Sequence, residues 1–321
     1  MAKYRNALPQ LGGELFLTDG GIETTLIFHD GLELPDFAAF DLLKHADGTA
    51  ALRKYFRAYG AIARSFNTGL VLESATWRAS ADWAARLGYS RDALAAANRK
   101  SIELLEEMRG EFESDRCKIV LSGCVGPRGD GYSPAYLMSE QETKNYHSEQ
   151  IEIFAGSAAD MVAAITLNYV EEAVGIARAA QRAGMPVAIS FTVETDGALP
   201  TGQTLQTAIE QVDAATSSYP CYYMINCAHP THFDHVLSKA QPWVARIRGL
   251  RANASRLSHA ELNEASELDV GDPAELGGQY ARLKETALPQ LNVMGGCCGT
   301  DHRHIEEIAK ACAPLFRTAS S

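Results

Sequence analysis

Short apolar runs alternate along the chain with longer segments whose apolar residues recur at three- and four-residue spacing. The runs read as strands and the longer segments as helices. ELFLTDGG (14–21) is the first strand, and 48–66 the helix after it, with Leu52, Tyr55, Phe56, Tyr59 and Ile62 on one face. GLVLESATW (69–77) precedes helical sequence from Ser80 to Glu111. KIVLSGCVGP (118–127) precedes a helix over 139–158, and DMVAAITLNY (160–169) one over 170–184 with Gly184 at its C-cap. PVAISFTVE (186–194) is followed by a helix over 204–218, and CYYMINCAHP (221–230) by one over 231–241. WVARIRGLRAN (243–253) is the seventh strand, with a loop over 254–271 and a helix over 273–287. LNVMGG (291–296) is the eighth, and a helix over 301–316 closes the chain.

Strands alternating with helices imply right-handed crossovers and a parallel sheet. Eight such units predict an α/β fold, a closed (β/α)8 TIM barrel, with an open doubly wound sheet as the alternative. The expected organisation is a single domain over 1–321, with a core of about 15–313 and a short frayed polar tail. Barrel enzymes carry their active sites at the C-terminal ends of the strands. The candidate chemistry therefore lies in DGG, SATW, GCVGP, TLNY, VETDG, NCAHP, RAN and GGCCGT.

Composition narrows the classes. Hydrophobic residues make up 46% and charged residues 21%, a globular balance. A net charge of −11 disfavours nucleic acid and anionic membrane surfaces as partners. No secretory leader and no membrane-spanning run is evident. Seven cysteines, an odd number scattered over 321 residues, speak for reduced thiols in a cytoplasmic protein.

Three of those thiols sit at strand ends. Cys227 ends the sixth strand, and Cys297 and Cys298 follow the eighth. Brought to one mouth, they form a soft donor set for Zn²⁺ with one coordination position left open, as a catalytic site requires. Gly295, Gly296 and Gly299 are expected to supply the unusual backbone angles that turn both neighbouring thiols toward one ion. Cys117, Cys221 and Cys312 read as bystanders, as does Cys124 in spite of its place at a strand end. Three thiolates donate too much charge for a hydrolytic zinc but suit a site that ionises a fourth, substrate thiol. Such a thiolate would take a methyl group from a sulfonium or ammonium donor, whose leaving group departs neutral. A zinc hydrolase needs a general base that the sequence does not clearly offer.

LTDGGIETTL, INCAHP and GGCCGT, in that order and on those strands, resemble the homocysteine S-methyltransferase family. SGCVGPRGDGY and ISFTVETDGALPTGQTL extend the resemblance over about Leu15 to Ala313. It implies a zinc-dependent barrel that methylates homocysteine to methionine, with Cys227, Cys297 and Cys298 as ligands and Asp19, Gly20 and Gly21 near the acceptor. The length resembles the compact members that use S-methylmethionine or S-adenosylmethionine.

One position departs from the family. Its glutamate at the end of the fourth strand, which takes the acceptor's amino group, is Ile165 here, while the threonine after it is kept as Thr166. Three explanations remain open: Glu73, charged within an apolar strand, substitutes for it; the acceptor is a different small thiol without that ammonium; or the barrel binds zinc and thiols without catalysis. Asn226 is expected to hydrogen-bond beside the metal and His229 to stand behind the ligands, while Trp77 either offers a face to an onium donor or simply packs. Glu194 and Asp196 could line the mouth or be solvated loop acids. The histidines of 302–304 read as a helix start. The expected partners are a small-molecule thiol acceptor and a methyl donor, and whether the chain forms a homo-oligomer stays open.

Overall fold

The strands are buried along nearly their whole length, the pattern of a parallel sheet covered on both sides. In the computed structural model, which describes residues 1–265 and 267–316, they close into one barrel in sequence order. β1 (Phe16–Leu17), β2 (Gly69–Glu73), β3 (Ile119–Val125), β4 (Met161–Leu167), β5 (Val187–Phe191), β6 (Tyr222–Asn226), β7 (Ile247–Ala252) and β8 (Val293–Gly296) each pair in parallel with the next. β8 pairs back with β1. The helices between them are α1 (Ala46–Phe66), α2 (Ala81–Arg86), α3 (Arg91–Phe112), α4 (Glu140–Ala155), α5 (Val170–Ala183), α6 (Leu205–Thr216), α7 (His259–Glu264), α8 (Pro273–Thr286) and α9 (His302–Cys312). The expected (β/α)8 barrel is the fold.

Local sequence accounts for most boundaries. Ser139 and Glu142 form a capping box at the start of α4, and Gly184 ends α5 in the left-handed region at φ 66°. Four expectations need correction. The helix expected over 231–241 is replaced by two 3₁₀ turns, Pro230–His232 and Asp234–Val236. That stretch lies between Pro230 and Pro242, each of which opens a 3₁₀ turn. β7 starts at Ile247 rather than Trp243, because Pro242 opens a further turn over Pro242–Arg246. The helical stretch from Ser80 breaks at Gly88, at φ 75°, into α2 and α3, and the expected loop over 254–271 contains α7. The last residues of the expected polar tail, 317–321, lie outside the described residues.

The N-terminal segment closes the barrel floor. The backbone N–H groups of Lys3 and Tyr4 both donate to Asp160 Oδ1 at 2.7 Å, just before β4. Arg109 donates to the other oxygen of Asp160 at 2.9 Å. Leu8 packs with Phe16, Val71, Met161 and Val293 in the interior cluster. The cavity described below therefore lies at the opposite end, where the strands finish. No helix among the described residues is long and apolar enough to cross a membrane.

Candidate metal and methyl-transfer site

The Sγ atoms of Cys227, Cys297 and Cys298 lie within 4.8 Å of one another, and those of Cys227 and Cys297 are in direct contact. Three soft thiol donors gathered at one point suit zinc by their chemistry; a tetrahedral ion with Zn–S bonds of about 2.3 Å holds its sulfurs about 3.8 Å apart, so Cys227 and Cys297 Sγ would separate to bind it. All three cysteines line a cavity of about 400 Å³, which leaves room for a substrate as fourth ligand.

The loop that presents two of them is tied down on every side. Gly296 N–H donates to Asp19 O, Cys297 N–H to Ala252 O, and Ala254 N–H to Cys298 O. Thr300 Oγ1 donates to Cys297 O at 2.7 Å. The glycines work differently from the sequence expectation. Only Gly299 has a positive φ, 78°. Gly295 and Gly296 are needed for close approach, since a side chain there would collide with the hydroxyls of Thr18 and Thr300. The unusual angles fall instead on Cys227 (φ 54°) and Thr166 (φ 66°).

Asn226 ties this region together through its side-chain amide. Its Nδ2 donates to Cys227 Sγ at 3.1 Å and to Thr166 Oγ1 at 2.8 Å. Its Oδ1 accepts from Thr166 N–H at 3.0 Å and from Ser190 Oγ at 2.5 Å. Two residues that sequence reasoning missed close the other side. His259 Nε2 donates to Cys227 O at 2.5 Å, and its ring packs on Tyr132 with centroids 4.1 Å apart. Tyr132 Oη is 3.8 Å from Cys298 Sγ. Tyr132 stands on the loop after β3 and His259 opens α7, and neither residue's spacing shows which strand end it meets.

Asp19, Gly20 and Gly21 line the same cavity, with Glu73, Thr166 and Ile165. Asp19 is already paired: Arg251 Nη2 is 2.7 Å from its Oδ1, and Tyr55 Oη donates to Oδ2 at 2.9 Å. Burial by itself would draw the Arg251 pKa down, but Asp19 and Glu73 outweigh it and push it up. Arg251 was missed although RAN was marked as a strand end; an arginine within an apolar strand was as clear a signal as Glu73. Ile165 presents an apolar side chain to the cavity where the family pattern has an acid.

Glu73 is 6% exposed, and one of its oxygens has no hydrogen-bond partner. Burial pushes its carboxyl up to about 7, against the pull of Arg251 and the Ser122 hydroxyl. Glu23, half-buried on the cavity wall, is likewise raised by burial to about 7. An acid whose native pKa lies above its unfolded value stabilises the fold below the unfolded value and loses that contribution as pH rises through the native one. Glu73→Gln should therefore match the wild type near pH 4.5 and exceed it by about 1–3 kcal/mol at pH 8. Urea denaturation at both pH values reads the difference; equal stability at pH 8 would show that Glu73 ionises without cost.

Several expected residues lie elsewhere or do something else. Trp77 lines the cavity, but one ring face is covered by the Arg78 guanidinium, 4.0 Å from its centroid. A fixed cation there opposes an onium donor, so the expected cation–π role for that face is not met. His229 caps the turn after β6 through Thr231 rather than reaching the cavity, and burial lowers its pKa to about 4. Glu194 approaches His259 Nδ1 at 3.4 Å, and Asp196 stays in its own loop. His304 is buried and completes the cap of α9 with Asp301. Cys117 and Cys312 are buried, Cys221 is half-buried, and Cys124 lines the cavity wall.

A (β/α)8 barrel with three convergent thiols at its C-terminal mouth and a charged cavity beside them defines a thiol-handling enzyme class. The homocysteine S-methyltransferase family model matches residues 16–312, and the chain belongs to that family of methyltransferases. Homocysteine S-methyltransferase 4 of Zea mays is 25% identical over 320 residues, covering 93% of this chain and 90% of the relative. Betaine–homocysteine S-methyltransferase 1 of Bos taurus is 28% identical over 204 residues, covering 58% of this chain and 48% of that longer protein. Among solved structures, the homocysteine methyltransferase MmuM of Escherichia coli in its oxidised form superposes with a TM-score of 0.75 at 20% identity, covering 96% of this chain and 99% of that one.

Proposed function

We propose that the protein is a zinc-dependent thiol S-methyltransferase that moves a methyl group from an onium donor, S-methylmethionine or S-adenosylmethionine, to homocysteine. The observation that carries this reading is the convergence of Cys227, Cys297 and Cys298 on one point of the cavity. Zinc, when bound, supplies a soft cationic centre at which an acceptor thiol loses its proton and keeps a nucleophilic sulfur. The acceptor sulfur forms its new bond to the donor methyl as the donor S–CH₃ bond breaks. The bonding pair leaves with the donor sulfur, which departs as a neutral thioether.

The chain's own residues set the stage for that transfer. The Asn226 amide donates to Cys227 Sγ and draws off part of the charge on that ligand. Asp19, held by Arg251 and Tyr55, stands with Gly20 and Gly21 at the acceptor end of the cavity. Glu73 is the remaining buried acid within the barrel strands there, and in this reading it takes the place of the acid missing at Ile165.

A second reading, transfer to another small thiol, is favoured by Ile165 itself, since an apolar side chain gives an acceptor ammonium nothing to pair with. Incubating zinc-loaded, reduced protein with each donor and a thiol panel separates the two. Methionine from homocysteine supports the first reading. A methylated product from another thiol only supports the second. No thioether from any pair overturns both.

A further inference from the structure

One buried cation in the cavity makes no ion pair among the described residues. Arg78 follows β2, lines the cavity and is 6% exposed. Its guanidinium lies between two indoles, 4.0 Å from the Trp77 centroid and 3.7 Å from the Trp83 centroid. One amino group donates to Gly129 O at 3.1 Å. Its buried Nε has no hydrogen-bond partner, and among the described residues it makes no ion pair. The other deeply buried arginines differ: Arg109 is paired with Asp160 and Arg251 with Asp19.

Arginine is rarely buried without a partner, because a desolvated charge is costly. Two indole faces hold the guanidinium plane and offset part of that cost, yet they leave the forked donors unmatched. Burial draws the pKa of Arg78 down to about 10, so the group stays charged at neutral pH. Glu23 and Asp130 act on it only through space. A rigid, planar, positively charged fork on a cavity wall, with its donors only partly matched by Gly129 O, suits a carboxylate.

We propose that Arg78 anchors the carboxylate of a substrate bound in this cavity and thereby selects acids over their neutral analogues. The naming of the substrates rests on the methyl-transfer reading; the carboxylate-binding chemistry does not. The carboxylate has two sources, the thiol acceptor or the onium donor, and both ligands of the proposed reaction carry one.

The test is calorimetric binding to the zinc-loaded protein of homocysteine, S-methylmethionine and the α-amide of each, one ligand at a time. The wild type should prefer the acid over the amide in at least one pair. Arg78→Gln should weaken the acid of that pair by about tenfold or more, or about 1.4 kcal/mol, and leave the amide unchanged. The pair that loses its preference identifies the source. Arg78→Lys, which keeps the charge without the fork, should retain part of the preference.

Three results overturn the proposal: no acid preference in the wild type, equal weakening of acid and amide in the variant, or no binding of either acid. Equal weakening is what a purely structural clamp between Trp77 and Trp83 would give. The wild-type comparison and Arg78→Lys keep the test decisive if Arg78→Gln does not fold. Acid-selective binding without turnover would overturn the methyl-transfer reading alone.

Discussion

Cys298→Ser should strip zinc from the protein and lower methyl transfer by more than about 100-fold, beyond the range caused by loss of a ligand's hydrogen-bond partner. A serine hydroxyl is a hard, neutral donor and does not replace a thiolate for a soft ion. The same result is expected for Cys227→Ser and Cys297→Ser, because all three sulfurs fall within 4.8 Å of one another. Asn226→Ala gives the internal comparison. It leaves every sulfur in place but removes the amide that donates to Cys227 Sγ and the acceptor that fixes Thr166 N–H. Its loss should fall within about 10–100-fold. Metal content by atomic emission and transfer rate should fall together across the series. A zinc-free cysteine variant that still transfers methyl groups would remove the thiol cluster from the mechanism.

The second large effect is on stability. Arg251→Met should destabilise the fold by about 3–5 kcal/mol, the cost of leaving a buried charge without its partner. Asp19 is 2% exposed and would keep only the Tyr55 hydroxyl, with Glu73 raising the local negative charge further. Asp19→Asn should cost a similar amount by stranding Arg251. The double variant should recover much of either loss, since a neutral pair removes both desolvated charges. Urea denaturation of the four proteins reads the coupling. Additive losses would mean that Asp19 and Arg251 do not act as a pair. Acceptor binding should weaken in both single variants, because the pair forms the wall of the cavity around Gly20 and Gly21.

The places where sequence reasoning went astray share a cause. The helix expected over 231–241 rests on spacing alone, and two prolines outweigh that spacing. The glycines of GGCCGT were assigned to unusual angles, whereas two of them make room for Thr18 and Thr300. Of the two uses open to Trp77, the face for an onium donor is taken up by its neighbour Arg78. Each error concerns what a side chain meets, which spacing does not encode.

The sequence by itself determined the period of eight strands and helices, the thiols at two strand ends, and a glutamate within an otherwise apolar strand, whose burial it left open. Those are local matters: alternation, caps and the chemistry of a residue type. It also determined the departure at Ile165. Only the tertiary structure decided that Asp19 is neutralised by Arg251, that Asn226 joins Thr166 to Cys227, that His259 reaches the Cys227 carbonyl and Tyr132 approaches Cys298 Sγ, and that Arg78 is buried with no ion pair among the described residues. Closing the barrel brings β1 beside β8 and the ends of eight strands to one mouth, so charges separated by up to hundreds of residues act on each other in a space from which water is largely excluded. The energy of those encounters depends on distance and burial, and both come into being only when the ring closes.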